Sequence, residues 1–81
     1  MAKRPTRQVY HSVLKRDGWR VVLNGRAVSA HETQKESEAE AISLGKQSYD
    51  QGGLGQAVLH KSNGEIREER TYGKDPERTP G

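Results

Sequence analysis

Three short turn signals divide this chain, and they constrain its fold more than any other feature. Asp17-Gly18, Asn24-Gly25 and Asn63-Gly64 each interrupt stretches of strand-forming residues. Glycine accepts positive φ, and Asn or Asp tolerates it, so these dipeptides favour tight hairpin loops. Before the first, Tyr10, Ser12 and Leu14 alternate with Val9, His11, Val13 and Lys15. After it, Trp19, Val21 and Leu23 alternate with Arg20, Val22 and Asn24. A period of two marks a strand with one face on a core. With Asp17 and Gly18 as the loop residues, Leu14 is expected opposite Val21 and Ser12 opposite Leu23. Tyr10, Leu14, Trp19, Val21 and Leu23 then line the core. His11, Val13, Lys15, Arg20, Val22 and Asn24 face away from it, with Val13 and Val22 adjacent.

After Asn24-Gly25, residues 26–30 read either as a short third strand or as an extended connection. The next signal is a helix start. Thr33-Gln34-Lys35-Glu36 fits a capping box, in which the Thr33 hydroxyl accepts from the amide of residue 36 and the Glu36 carboxylate reaches back to the Thr33 amide. The helix is expected from about Gln34 to Asp50, ended by Gln51-Gly52-Gly53. Glu38, Ala41, Ile42, Gly45 and Tyr49 share its inner face. Gly45 costs about 1 kcal/mol relative to Ala within a helix, which points to close approach of helix and sheet, over Trp19.

Residues 56–62 and 65–72 form the last hairpin, and two registers stay open. A two-residue loop pairs Leu59 with Glu68 and puts Leu59, Ile66 and Tyr72 on one face. A three-residue loop with a Gly bulge pairs His60 with Ile66 and groups Val58 with Ile66. The first collects the larger apolar set and is preferred. It leaves His60, Arg67, Glu69 and Thr71 outside.

These elements predict one small two-layer α+β domain, ββ(β)αββ, with one helix packed on an antiparallel sheet. The domain spans residues 8–73, between a flexible basic arm at 1–7 and a flexible tail at 74–81. Its expected core is Tyr10, Leu14, Trp19, Val21, Leu23, Ala41, Ile42, Tyr49, Leu59, Ile66 and Tyr72. That core is thin, because the 81 residues include no Phe, one Trp and three Tyr. A chain this short stabilises only marginally.

The ordered pieces resemble a known family. Asp17-Gly18-Trp19 with Val21, His31-Glu32-Thr33 and Ala39-Glu40-Ala41-Ile42 carry part of the likeness. Gly52-Gly53, Val58, His60, Gly64 and Ile66 continue it. It is densest at Glu69-Arg70-Thr71-Tyr72-Gly73 with Asp75-Pro76. Over residues 9–76 the chain resembles the bacterial domain of unknown function family 2188. The resemblance implies a small bacterial α+β domain and supplies no catalytic residues. Leu54-Gly55-Gln56-Ala57 departs from the family by lengthening the passage from Gly-Gly to the next strand.

The chemistry points away from catalysis. Ser and Thr residues occur in no nucleophile motif, and Gly52-Gly53-Leu54-Gly55 follows a helix where a phosphate loop would precede one. Glu36, Glu38, Glu40, Glu68 and Glu69 read as solvated charge, since paired catalytic carboxylates need a pocket. No enzyme activity and no cofactor is expected. Without Cys there are no disulfides or thiolate sites, and His11, His31 and His60 match no local metal-ligand spacing. His11 and His60 do share the outer sheet face in this reading. No apolar run approaches a membrane span, and the N-terminus lacks a signal-peptide pattern. A cytoplasmic protein without membrane contact is the expectation.

Charge leaves two partner classes. Residues 1–30 hold seven basic side chains and one acid, whereas residues 31–81 hold seven basic and ten acidic ones. Arg4, Arg7, Lys15, Arg16, Arg20, Asn24 and Arg26 are candidates for nucleic acid, through the arm and first hairpin. A two-stranded ribbon can enter the major groove, with Lys and Arg on phosphates and Arg20 and Asn24 at bases. Against it, Glu65, Glu68 and Glu69 belong to the same sheet. The alternative is a protein-interaction or homodimerisation module that pairs its open sheet face through Val13 and Val22.

Overall fold

The computed structural model describes residues 7–73, and each turn signal lies where the chain reverses. The elements are β1 (Arg7–Lys15), β2 (Gly18–Leu23), β3 (Arg26–His31), α1 (Gln34–Asp50), β4 (Leu54–His60) and β5 (Ile66–Tyr72). The small α+β class is as expected, with the helix packed on the sheet. The sheet order is β3-β2-β1-β4-β5. The arm at 1–6 and the tail from 74 lie outside the described residues. Arg7, placed in the arm by sequence, begins β1.

The expectation of a wholly antiparallel sheet needs correction. Three pairings are antiparallel, but β1 and β4 run parallel, with Tyr10 opposite Ala57 and Ser12 opposite Leu59. Parity explains this. Residues 26–31 are a true strand, so β3 runs the same way as β1. The helix returns the chain to the end where β1 starts, and β4 must then rise alongside it.

The first hairpin also differs from the expected register. Leu14 pairs with Trp19 and Lys15 with Gly18, so Arg16-Asp17 forms the tip and Gly18 takes a φ of 132°. A shift of two residues leaves every side chain on its expected face, because strands repeat with period two. It changes the neighbours, however. Val13 lies opposite Arg20, and Val22 lies opposite His11. The expected Val13–Val22 pair is therefore diagonal. Asn24 and Gly25 both adopt positive φ, 54° and 81°, as a type I′ turn requires.

At the last hairpin the two candidate registers coexist. Lys61 N donates to Glu65 O at 2.7 Å and Gly64 N to Lys61 O at 2.9 Å, closing a three-residue loop. His60 accordingly pairs with Ile66. A bulge then inserts Arg67, and Leu59 pairs with Glu68. The bulge keeps Leu59 in the core while turning Ile66 to the opposite face.

The helix spans the expected residues, and Thr33 Oγ1 accepts from Glu36 N at 3.1 Å. Thr33→Ala should cost about 1 kcal/mol. Urea denaturation checks this, and an unchanged midpoint would show that the cap contributes nothing. The buried helix residues are Ser37, Ala41 and Gly45, spaced four apart. They lie on β1 and β4. The close approach foreseen from Gly45 occurs, but over β4 and not over Trp19. A Cβ on Gly55 would lie 1.8 Å from the Gly45 carbonyl oxygen.

The core centres on Val21, Ala41, Ala57 and Leu59, with Tyr10, Ile42 and Leu44 packed against it. Trp19 and Leu54 are also buried. Three expected core residues are instead exposed: Leu14 by 43%, Tyr49 by 50% and Ile66 by 53%. Leu14 sits at the hairpin end of β1, Tyr49 near the helix C-terminus, and Ile66 beyond the bulge. Two buried serines occupy core sites, satisfied by a short chain. Ser12 Oγ donates to Ser37 Oγ at 2.8 Å, and Ser37 Oγ donates to the Arg20 carbonyl at 3.3 Å. Arg67 Nη2 meets Glu38 Oε2 at 2.6 Å, joining β5 to the helix.

Candidate interaction face

The helix covers one face of the sheet, and strand alternation decides what the other presents. Val9, His11 and Val13 come from β1, Val22 from β2, and Gln56, Val58 and His60 from β4. Glu69 and Thr71 come from β5, with Ile66 beyond its bulge. Val58, between His11 and Glu69, is only 4% exposed although no second layer covers it. Its neighbours screen it within the sheet. The face thus mixes five apolar side chains with five polar ones. Gln56 Nε2 donates to Glu69 Oε1 at 3.0 Å.

Two histidines occupy the middle of this face. His11 Nδ1 and His60 Nε2 are 3.0 Å apart across β1 and β4, with ring centroids at 5.3 Å. His60 Nδ1 lies 3.0 Å from the Gly64 carbonyl oxygen. Burial holds the His11 pKa below its ordinary 6.5, and the facing His60 adds to this, while Glu69 partly offsets it. A cation coordinated in line between the facing nitrogens would require a separation of roughly 4 Å, at about 2.0 Å per bond. Among the described residues, no group of three or more His, Cys, Asp or Glu side chains is placed to hold a metal ion.

The candidate nucleic-acid residues are not brought together. Lys15, Arg16 and Arg20 lie at the β1–β2 end of the sheet, whereas Arg7, Asn24 and Arg26 lie at the other. The six residues of β2 between them span roughly 20 Å. Two of the arginines are also engaged. Arg7 donates to the carbonyls of Gly55 at 2.9 Å and Gly73 at 3.2 Å, tying β1 to β4 and to the end of β5. Arg20 meets Asp17 Oδ1 at 3.0 Å and donates to the Trp19 carbonyl at 3.0 Å. Lys15, Arg16, Asn24 and Arg26 are exposed, and Arg4 lies outside the described residues.

An open cleft of about 670 Å³ lies beside the first hairpin, lined by Asp17, Arg20, His31, Glu32 and Glu36 among others. Three carboxylates there surround one guanidinium, so the cleft does not favour a phosphate. His31, the third histidine, has its Nε2 2.9 Å from Ser29 Oγ.

Sequence reasoning put His11 and His60 on one face but missed their contact. Alternation carried the first inference. The second needed the β1–β4 pairing, which links residues 49 apart in the chain.

Fold and face together define a two-layer α+β domain whose sheet is covered on one side by its own helix. The chain belongs to the bacterial family DUF2188, described as an uncharacterized protein conserved in bacteria, which matches residues 10–72. That span falls within the residues 9–76 that carried the sequence resemblance. No curated protein and no solved structure matches the chain. Among the described residues, no helix is long and apolar enough to cross a membrane.

Proposed function

We propose that this chain is a non-enzymatic interaction domain that pairs with a second copy of itself through the open face of its sheet. The observation that carries this reading is the set Val9, Val13, Val22 and Ile66, all on the face that the helix leaves bare. Ile66 alone is 53% exposed. Two such faces stacked would form an α/β/β/α sandwich, with sheets about 10 Å apart. An isologous pairing brings each apolar set onto its own copy. It would also supplement a core that is small within one chain.

Sedimentation equilibrium tests this reading. The wild-type chain should show a dimer whose dissociation is insensitive to salt. Val13→Asp and Val22→Asp should each weaken it at least about tenfold, because each would bury a carboxylate against apolar groups. A wild-type monomer at high concentration, or variants that associate as well as the parent, would count against the face.

A second reading draws on the exposure of Lys15 and Arg16 at the first hairpin tip. These two, with the arm, would contact nucleic-acid phosphates. Anisotropy of labelled DNA and RNA separates the two readings. Phosphate binding weakens steeply with salt and depends on Lys15 and Arg16, whereas sheet pairing depends on the valines.

A further inference from the structure

The hydrogen positions in the histidine pair follow from one carbonyl. The Gly64 oxygen can only accept, so His60 Nδ1 carries the hydrogen between them. A neutral His60 then has a bare Nε2, and His11 Nδ1–H donates to it. Both rings are Nδ1–H tautomers, and His11 Nε2 keeps the remaining lone pair. A first added proton can be held without losing the N–H···N bond. A second cannot, because both facing nitrogens would then be donors 3.0 Å apart.

The surroundings offer little compensation for added charge. Val9 and Val13 flank His11 along β1, Val22 faces it from β2 and Val58 from β4. Glu69 on β5 is the carboxylate facing the pair, and it is already bound by Gln56. Arg20, one pair further along β2, is turned to Asp17. Lys61 and Glu65 beside the last turn pair with each other at 3.6 Å. The helix lies on the opposite face and contributes no group here.

Resting on the reading of this face as a self-association surface, we infer that proton uptake by the His11–His60 pair opposes that association, making the dimer acid-labile. A second copy laid over the face removes water from the pair, and an imidazolium loses more by this than a neutral ring. Covering the pair therefore lowers the proton affinity of His11 further, and by linkage protons weaken pairing. The sign is fixed by the further desolvation on association, which disfavours the imidazolium. His11 already titrates below 6.5 in the free chain. Association is thus fully present above that value and is lost as the pH falls through the lowered one.

The test is sedimentation equilibrium at about pH 7.5 and about pH 5.5, on the wild type and on a His11→Gln/His60→Gln variant. Wild-type affinity should fall as the pH drops below 6.5, with a limit of about a hundredfold per pH unit for one proton per copy. The double variant should lose most of that dependence. A wild-type dimer of equal affinity at both pH values overturns the inference and leaves the self-association reading standing. A monomer at both values overturns the two together. Imidazole nitrogen NMR on the wild type supplies a readout independent of assembly. Both rings should be Nδ1–H tautomers at neutral pH, and two independently titrating rings with Nε2–H would also overturn the inference.

Discussion

Gly55→Ala should unfold this domain or lower its melting temperature by more than about 10 °C. The added Cβ would sit 1.8 Å from the Gly45 carbonyl oxygen and 2.6 Å from its carbon. These are backbone atoms of the helix, so no side chain can swing aside. The helix would have to lift from β4, separating Ala41 from Ala57 and Leu59 in the core. Overpacking of this severity costs on the order of 3 kcal/mol or more. The whole domain holds roughly 5 kcal/mol, and each kcal/mol shifts the midpoint of so small a domain by about 4–8 °C. Gly45→Ala is the informative contrast. Its Cβ would meet the Gln56 backbone at 3.3–3.4 Å, and Ala regains about 1 kcal/mol of helix propensity. That variant should melt within a few degrees of the parent. Circular dichroism melts of the two decide the matter. A Gly55→Ala variant as stable as Gly45→Ala would show that the helix does not rest on β4 at this point.

Trp19→Ala should cost roughly 3–5 kcal/mol, which approaches the full stability of the domain. Trp19 is 8% exposed, on β2 between Leu14 and His31 of the flanking strands. It is the only Trp and much the largest side chain in the core. Urea denaturation followed by circular dichroism measures the loss. A folded variant with an unchanged midpoint would place the weight of the core on Val21 and Leu59 instead. In the wild type the same residue reports directly, since its fluorescence should be blue-shifted and should change together with the loss of helix.

Both predictions rest on how whole elements pack and not on local backbone preference, and that separates what was legible in the sequence from what was not. The Thr33 cap, the helix limits and the Asn24-Gly25 turn are local. Their residues lie within a few positions of their partners, and Ser, Thr, Asn and Gly carry specific backbone preferences. Alternation likewise put Tyr10, Ser12, Trp19 and Val21 on one face and His11, Val13 and Val22 on the other, even though the hairpin register was displaced by two. The separation of the basic residues was legible too, because the turns at 17–18 and 24–25 put Arg16 and Arg26 at opposite ends of β2.

By itself, then, the sequence determined a single helix on a sheet, the positions of its turns and which side chains share a face. It also contained Gly45 as a sign of close helix packing. The tertiary structure alone decided that β4 joins β1 in parallel, that Gly55 is the surface on which Gly45 rests, and that His11 meets His60. The physical reason is that a parallel pairing has no turn to encode its register. It is set by which arrangement buries Ala57 and Leu59 beneath the helix while leaving backbone hydrogen bonds satisfied, and that comparison exists only once the whole chain is folded.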